Sequence, residues 1–174
     1  NINDGSLIVD TDSYVKLVLN NVNINNKSGP AIIIEKAKSV VIELSEGSIN
    51  KLSDGSNYDN EDYSGCIFSR SDLIFNGKGT LNLVSHYLDG IVSVDDLKFI
   101  SGKYVIDSND DGIRGKDSVN IINGEFIINS KNDGIKSNNE FDKNKGFVNI
   151  VNGKFDINSE GDGIQAFNKL IIYD

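Results

Sequence analysis

The tripeptide Asp-Gly-Ile recurs at Asp89-Gly90-Ile91, Asp111-Gly112-Ile113, Asp133-Gly134-Ile135 and Asp162-Gly163-Ile164, with spacings of 22, 22 and 29 residues. A fixed period of this length marks a stacked repeat, in which each unit buries its apolar face only against its neighbours. The third interval is one unit plus seven residues, and the polar stretch 138–144 holds the extra seven. Fainter versions of the motif lie at Ser64-Gly65-Cys66 and Ser28-Gly29-Pro30, separated by a second polar insertion at 51–63.

Within each unit apolar residues alternate with a period of two, the pattern of strands. Three columns align from unit to unit. The first is Leu73, Leu97, Val119, Val148, with Phe75, Phe99, Ile121, Ile150 two residues on. The second is Leu81, Tyr104, Phe126, Phe155, continued by Leu83, Ile106, Ile128, Ile157 and then by Ser85, Ser108, Ser130, Ser159. The third follows the repeated glycine: Cys66, Ile91, Ile113, Ile135, Ile164. Three short strands per 22-residue unit predict an all-β fold, a single-stranded parallel β-helix over 1–174 as one domain. It would have about six coils stacked at roughly 4.8 Å, a rod of roughly 29 Å. Parallel crossovers are right-handed almost without exception, so a right-handed solenoid is expected. An antiparallel sandwich would not produce three columns in phase.

Composition narrows the chemistry. With 17 Lys and Arg against 26 Asp and Glu, the net charge is -9, which repels nucleic acid and anionic membranes and suits cations. No apolar run reaches the length of a membrane span, so no membrane insertion is expected. One Cys and one His leave no internal disulfide, no Cys-based zinc cluster and little scope for an ordinary catalytic triad. Cys66 falls in an apolar column and reads as an inert core residue, and His86 as a surface or turn residue. The chain opens without Met and closes in a strand-like run, which reads as a piece of a longer protein with open coils at both ends. Such edges can pair with another chain, and the oligomeric state is left open.

Stacking converts the repeat into a spatial cluster. Asp89, Asp111, Asp133 and Asp162 are expected to form a ladder, with Asp110, Asn109 and Asn132 adding oxygens nearby. Ca2+ is the expected cofactor, because it accepts six to eight oxygens from carboxylates, amides and carbonyls. Asn138 and Glu140, in the insertion that leaves the coil after Lys136, are candidates to complete such a site. Asp-Gly is also an ordinary turn pair, with Gly supplying positive φ and Asp capping the turn. Two residues after each glycine come Val92, Arg114, Lys136 and Gln165, with Lys116 following on the outward side. Arg114, Lys116, Lys136 and Gln165 are therefore candidates to hold an acidic sugar, the alternative being that the cations offset the nearby carboxylates.

Several runs resemble a bacterial family of carbohydrate-binding domain-containing proteins, formerly a domain of unknown function typified in clostridia. They are Gly112-Ile113-Arg114-Gly115-Lys116-Asp117-Ser118-Val119, Gly124, Asp133-Gly134-Ile135-Lys136-Ser137 and Asp162-Gly163-Ile164-Gln165-Ala166, together with Leu52-Ser53-Asp54-Gly55 and Asp95-Asp96-Leu97. The resemblance implies a right-handed β-helix of pectate-lyase-like type, secreted or on the cell surface. It also implies calcium binding and attachment to plant cell-wall polysaccharide, cellulose-like or acidic and pectin-like, without lyase activity. More remotely, Asp110-Asp111-Gly112-Ile113 is similar to the first four positions of the Asp-Asp-Gly-Ile-Asp calcium motif of pectate lyases, with Arg114 standing at the fifth.

Three functions are therefore carried forward. The first is a non-catalytic, calcium-dependent polysaccharide-binding module. The second is a polysaccharide lyase in which Lys116 or Lys136 abstracts the proton α to a uronate carboxyl, assisted by Arg114. The third is a structural or adhesive surface solenoid.

Overall fold

The computed structural model describes residues 1–173 and contains twenty β-strands and no α-helix among them. The first coil is built of β1 (Leu7–Asp10), β2 (Tyr14–Leu19) and β3 (Asn23–Asn25), and the second of β4 (Ile32–Lys36), β5 (Ser39–Leu44) and β6 (Ile49–Ser53). The third has β7 (Gly65–Ser69), β8 (Leu73–Gly77) and β9 (Thr80–Val84), and the fourth β10 (Asp89–Ser93), β11 (Asp96–Phe99) and β12 (Lys103–Ser108). The fifth comprises β13 (Ile113–Gly115), β14 (Ser118–Ile121) and β15 (Glu125–Ser130); the sixth β16 (Ile135–Ser137), β17 (Phe147–Ile150) and β18 (Lys154–Ser159). Two strands, β19 (Ile164–Ala166) and β20 (Lys169–Ile172), begin a seventh. Every third strand joins the same sheet, giving two seven-stranded sheets and one of six, all of whose pairs are parallel.

The structure is thus the expected parallel β-solenoid, with seven coils rather than about six. The first coil is entered through Asp4-Gly5 followed by Ser6, short of the full tripeptide, which hid it from a count based on that motif. The predicted columns are in register: Leu73, Leu97, Val119 and Val148 face one another, as do Tyr104, Phe126 and Phe155. One column is corrected. Ile91 pairs with Ile67, not with Cys66, because the ladder runs in one unbroken register that sets Gly65 opposite Asp89 rather than Gly90. Cys66 is nonetheless fully buried in the core cluster.

The interior is a continuous apolar stack. Phe75 lies on Phe99 with ring centroids 5.0 Å apart, and Tyr104, Phe126 and Phe155 form a second stack at 5.0 and 5.1 Å. Tyr104 closes against Ser101 O through its hydroxyl at 2.6 Å, so its one polar atom is not left unpaired.

The repeated glycines are explained by contact rather than by backbone angle. Gly90, Gly112 and Gly134 are not among the glycines with positive φ, which corrects the turn-conformation reading. A Cβ on any of them would lie 2.5–2.6 Å from the carbonyl oxygen of the glycine one coil on, and equally close to an isoleucine of the neighbouring sheet. Gly163, on the last coil, would meet nothing. Stacking itself excludes the side chain.

The insertion at 51–63 begins later than its composition indicates, since Lys51–Ser53 complete β6. The loop that follows is pinned by the buried carboxylate of Asp54, which accepts hydrogen bonds from Tyr58 Oη (2.6 Å), Ser85 Oγ (2.7 Å) and the backbone of His86 (2.5 Å).

Candidate functional site

The Asp-Gly-Ile motifs lie where the chain enters β10, β13, β16 and β19, and the four aspartates stack as expected. The bonding gives the column a structural reason. Asp89 Oδ1 accepts the N–H of Asp111 at 3.0 Å, Asp111 Oδ1 that of Asp133 at 3.0 Å, and Asp133 Oδ1 that of Asp162 at 2.7 Å. Each carboxylate therefore closes an amide of the next coil that the sheet ladder does not serve.

The second oxygens carry the charge. Arg114 reaches back one coil and sets Nη2 and Nε on Asp89 Oδ2 at 2.6 and 2.8 Å, with Nη2 also on Ser64 Oγ at 2.7 Å. Lys136 Nζ lies 2.7 Å from Asp133 Oδ2 and 3.5 Å from Asp111 Oδ2. Gln165 Nε2 donates to Asp162 Oδ2 at 3.0 Å. Burial pushes the Asp89 carboxyl up to about 6 against the pull of the guanidinium, and burial likewise raises Asp111. Burial opposes the ammonium of Lys136, yet the bonds to Asp133 and Asp111 prevail and raise its pKa.

The remaining predicted residues divide. Asp110 stands beside Asp89 and Asp111, with carboxylate oxygens of all three within 4.8 Å of one another. Asn132 Nδ2 donates to Asp111 Oδ1 at 2.9 Å, whereas Asn109 turns its amide to Tyr87 O and its oxygen to Lys131. Asn138 and Glu140 do not join the ladder, because β16 separates them from Asp133; Asn138 Oδ1 is buried without a hydrogen-bond partner. Lys116 is exposed at the far end of β13 from Asp111, so Arg114, Lys116, Lys136 and Gln165 do not form a free basic patch.

The loop 138–144 serves a second acidic cluster, at the turns into β8, β11 and β14, that the repeated tripeptide does not mark. Asp72, Asp95 and Asp96 bring carboxylate oxygens within 4.8 Å of one another. Ser118 Oγ donates to Asp96 at 2.5 Å, and Asp117 accepts from Asn139 Nδ2 at 2.6 Å and from Lys145. Burial, with Asp96 and Asp117 nearby, raises Asp72; burial, Asp117 and Asp72 raise Asp95. Asp117 is lowered because Lys145 and Asn139 outweigh its burial. The signal was present in sequence as the residue preceding each of Leu73 and Leu97, but serine at Ser118 breaks the column.

A family model for carbohydrate-binding domain-containing proteins matches residues 1–174. The chain belongs to that family. A carbohydrate-binding domain-containing protein of Acetivibrio thermocellus is 36% identical over 111 residues, covering 60% of this chain and 39% of the relative, so the match spans well under half of that protein. Among solved structures, a polysaccharide lyase-like protein from C. thermocellum, as a gadolinium derivative, superposes with a TM-score of 0.89 at 31% identity. That superposition covers 99% of this carbohydrate-binding domain chain and 81% of its neighbour.

Proposed function

We infer that this chain is a non-catalytic module that attaches to cell-wall polysaccharide, acidic or cellulosic, outside the cell or at its surface. The match of the family model to the whole chain carries this reading. The lyase alternative is disfavoured by Lys136, whose ammonium is ion-paired and raised in pKa where a general base needs to shed its proton. Lys116 lies at the opposite end of its strand from the aspartates.

Calcium fits the two acidic clusters differently. At Asp89, Asp110 and Asp111 the guanidinium of Arg114 and the ammonium of Lys136 occupy the charge-neutralising positions, and the ladder does not suit a divalent ion. At Asp72, Asp95 and Asp96 the carboxylates repel one another, and the lysine beside them, Lys145, bonds Asp117 instead. A hard cation with a preference for carboxylate oxygen suits that donor set, and calcium held there would lock the turn against the loop 138–144. The gadolinium derivative of the similar structure is in keeping, since lanthanides are hard, oxygen-seeking cations.

Affinity electrophoresis through gels containing polygalacturonate or hydroxyethylcellulose, with calcium or with chelator, tests the whole reading. Retardation without release of unsaturated uronate is the expected result, and retardation by neither polymer overturns it. Calorimetric calcium binding that survives Asp96→Asn refutes the assignment of the ion.

A further inference from the structure

On the outer face of the six-stranded sheet, the C-terminal ends of β9, β12, β15 and β18 border an open groove of about 410 Å³. Its walls repeat. Asp107, Asn129 and Asn158 are in register on successive coils, as are Ser108, Ser130 and Ser159. The next positions along the chain, Asn109, Lys131 and Glu160, complete each rung, and all three are exposed. The groove therefore runs across the strands, along the solenoid axis, and offers a similar polar set once per coil.

The rungs are held rigid. Ser108 and Ser130 donate to the carbonyls of Asp110 and Asn132, Asn129 Nδ2 donates to Asp107 Oδ1 at 2.9 Å, and Lys131 Nζ to Asn109 Oδ1 at 2.7 Å. His86 borders the end of the groove nearest the loop after β6, its backbone and ring both tied to Asp54. The buried Asp54 thus fixes the histidine where the groove begins.

A ligand that uses every rung must repeat at the coil spacing of about 4.8 Å. An extended peptide does not, since its like-facing side chains recur at roughly 6.6 to 6.8 Å. Nucleic acid is opposed by the net charge of -9. One pyranose of an extended glycan is about as long as one coil is thick, and its hydroxyls pair with amides, carboxylates and hydroxyls alike. Asp107 and Glu160 face the groove against the single ammonium of Lys131, so its lining is net negative and opposes a polyuronate. We propose that this groove binds a neutral, linear glycan lying along the solenoid axis, one sugar to a coil. This rests on the polysaccharide-binding reading and adds to it the place and the charge of the ligand.

Asn129→Leu and Asn158→Leu remove hydrogen-bonding groups from exposed positions and leave the core untouched. Their effect is read by affinity electrophoresis with hydroxyethylcellulose and glucomannan as neutral probes and polygalacturonate as the acidic one. A melting curve confirms that each variant is folded. The double variant is expected to lose at least tenfold in affinity for a neutral probe, while Lys116→Ala binds as the parent does. Folded variants that bind the neutral probes unchanged overturn the groove but leave the polysaccharide-binding reading standing. A parent that binds polygalacturonate and neither neutral polymer overturns the ligand class, and a parent that binds none of the three overturns the underlying reading.

Discussion

Stability against pH probes the aspartate ladder directly through Asp89. This residue is 2% exposed and titrates at about 6, against 3.8 for an unburied aspartate. Between those two values the folded chain keeps a proton that the unfolded chain has released. Stability contributed at this site therefore falls as pH rises through the window and is constant above it. The gap corresponds to roughly 3 kcal/mol at 1.36 kcal/mol per pKa unit. In Asp89→Asn the amide oxygen still accepts the Asp111 N–H, but nothing titrates. Asp111, Asp110 and Arg114 are common to both proteins, so most of their pH dependence cancels in the comparison. Urea unfolding followed by far-ultraviolet circular dichroism, from about pH 7 down to about pH 4, gives the two stability curves. The difference is expected to move in favour of the parent on acidification by up to about 3 kcal/mol, roughly 6 to 12 °C in Tm for a chain of this size. A difference that stays flat, or that moves in favour of Asp89→Asn, refutes the picture of a buried carboxylate ionised at a cost beside Arg114.

Three further outcomes follow from the same geometry. Arg114→Gln leaves the buried Asp89 carboxylate without its fork and is expected to destabilise by about 3 to 5 kcal/mol at neutral pH, measured by urea unfolding; a loss under about 1 kcal/mol contradicts the pairing. Gly134→Ala, whose Cβ would sit 2.4 Å from Ile157 and 2.5 Å from Gly163 O, is expected to lower Tm sharply, whereas Gly163→Ala is expected to be close to neutral. Equal Tm changes in the two would show that stacking is not the reason for glycine. Phe126→Ala, which opens a hole between Tyr104, Phe99 and Phe155, is expected to cost about 3 to 5 kcal/mol by the same denaturation assay, and a change below about 1 kcal/mol counts against a close-packed aromatic stack.

The columns were legible because a parallel solenoid pairs like with like: one period-two pattern, read every 22 residues, fixes which side chains meet. Register was harder where the motif weakens. The shared glycine aligns Cys66 with Ile91, but the ladder sets Gly65 opposite Asp89 and gives that place to Ile67, an offset of one that no residue type marks. The stacking of Asp89, Asp111 and Asp133 was readable from spacing alone. Their bonding was not, because it depends on which backbone amides the sheet leaves unserved at the turn. The same limit concealed the direction of Arg114 and Lys136. Sequence places them two residues after the glycine, and only the reach of a long side chain across one coil decides that they meet the aspartates rather than solvent.

That decision changes what the acidity of the chain means. A carboxylate that accepts a backbone amide and an internal cation is part of the framework, and removing its charge alters stability before it alters binding. The aspartate ladder and its cations are in this sense one structural unit, comparable to the asparagine and serine bonds at other turns. Charge remains uncompensated elsewhere, at Asp72, Asp95 and Asp96 on one set of turns and at Asp107 and Glu160 along the outer groove. The first site is compact and strongly repulsive, which favours a small cation; the second is extended and periodic, which favours a polymer. A module in which the ion stiffens the turns and the glycan follows the coils would lose calcium affinity in Asp96→Asn while its groove still binds the neutral polymer. The two measurements made on one variant separate a structural ion from one that bridges protein to sugar.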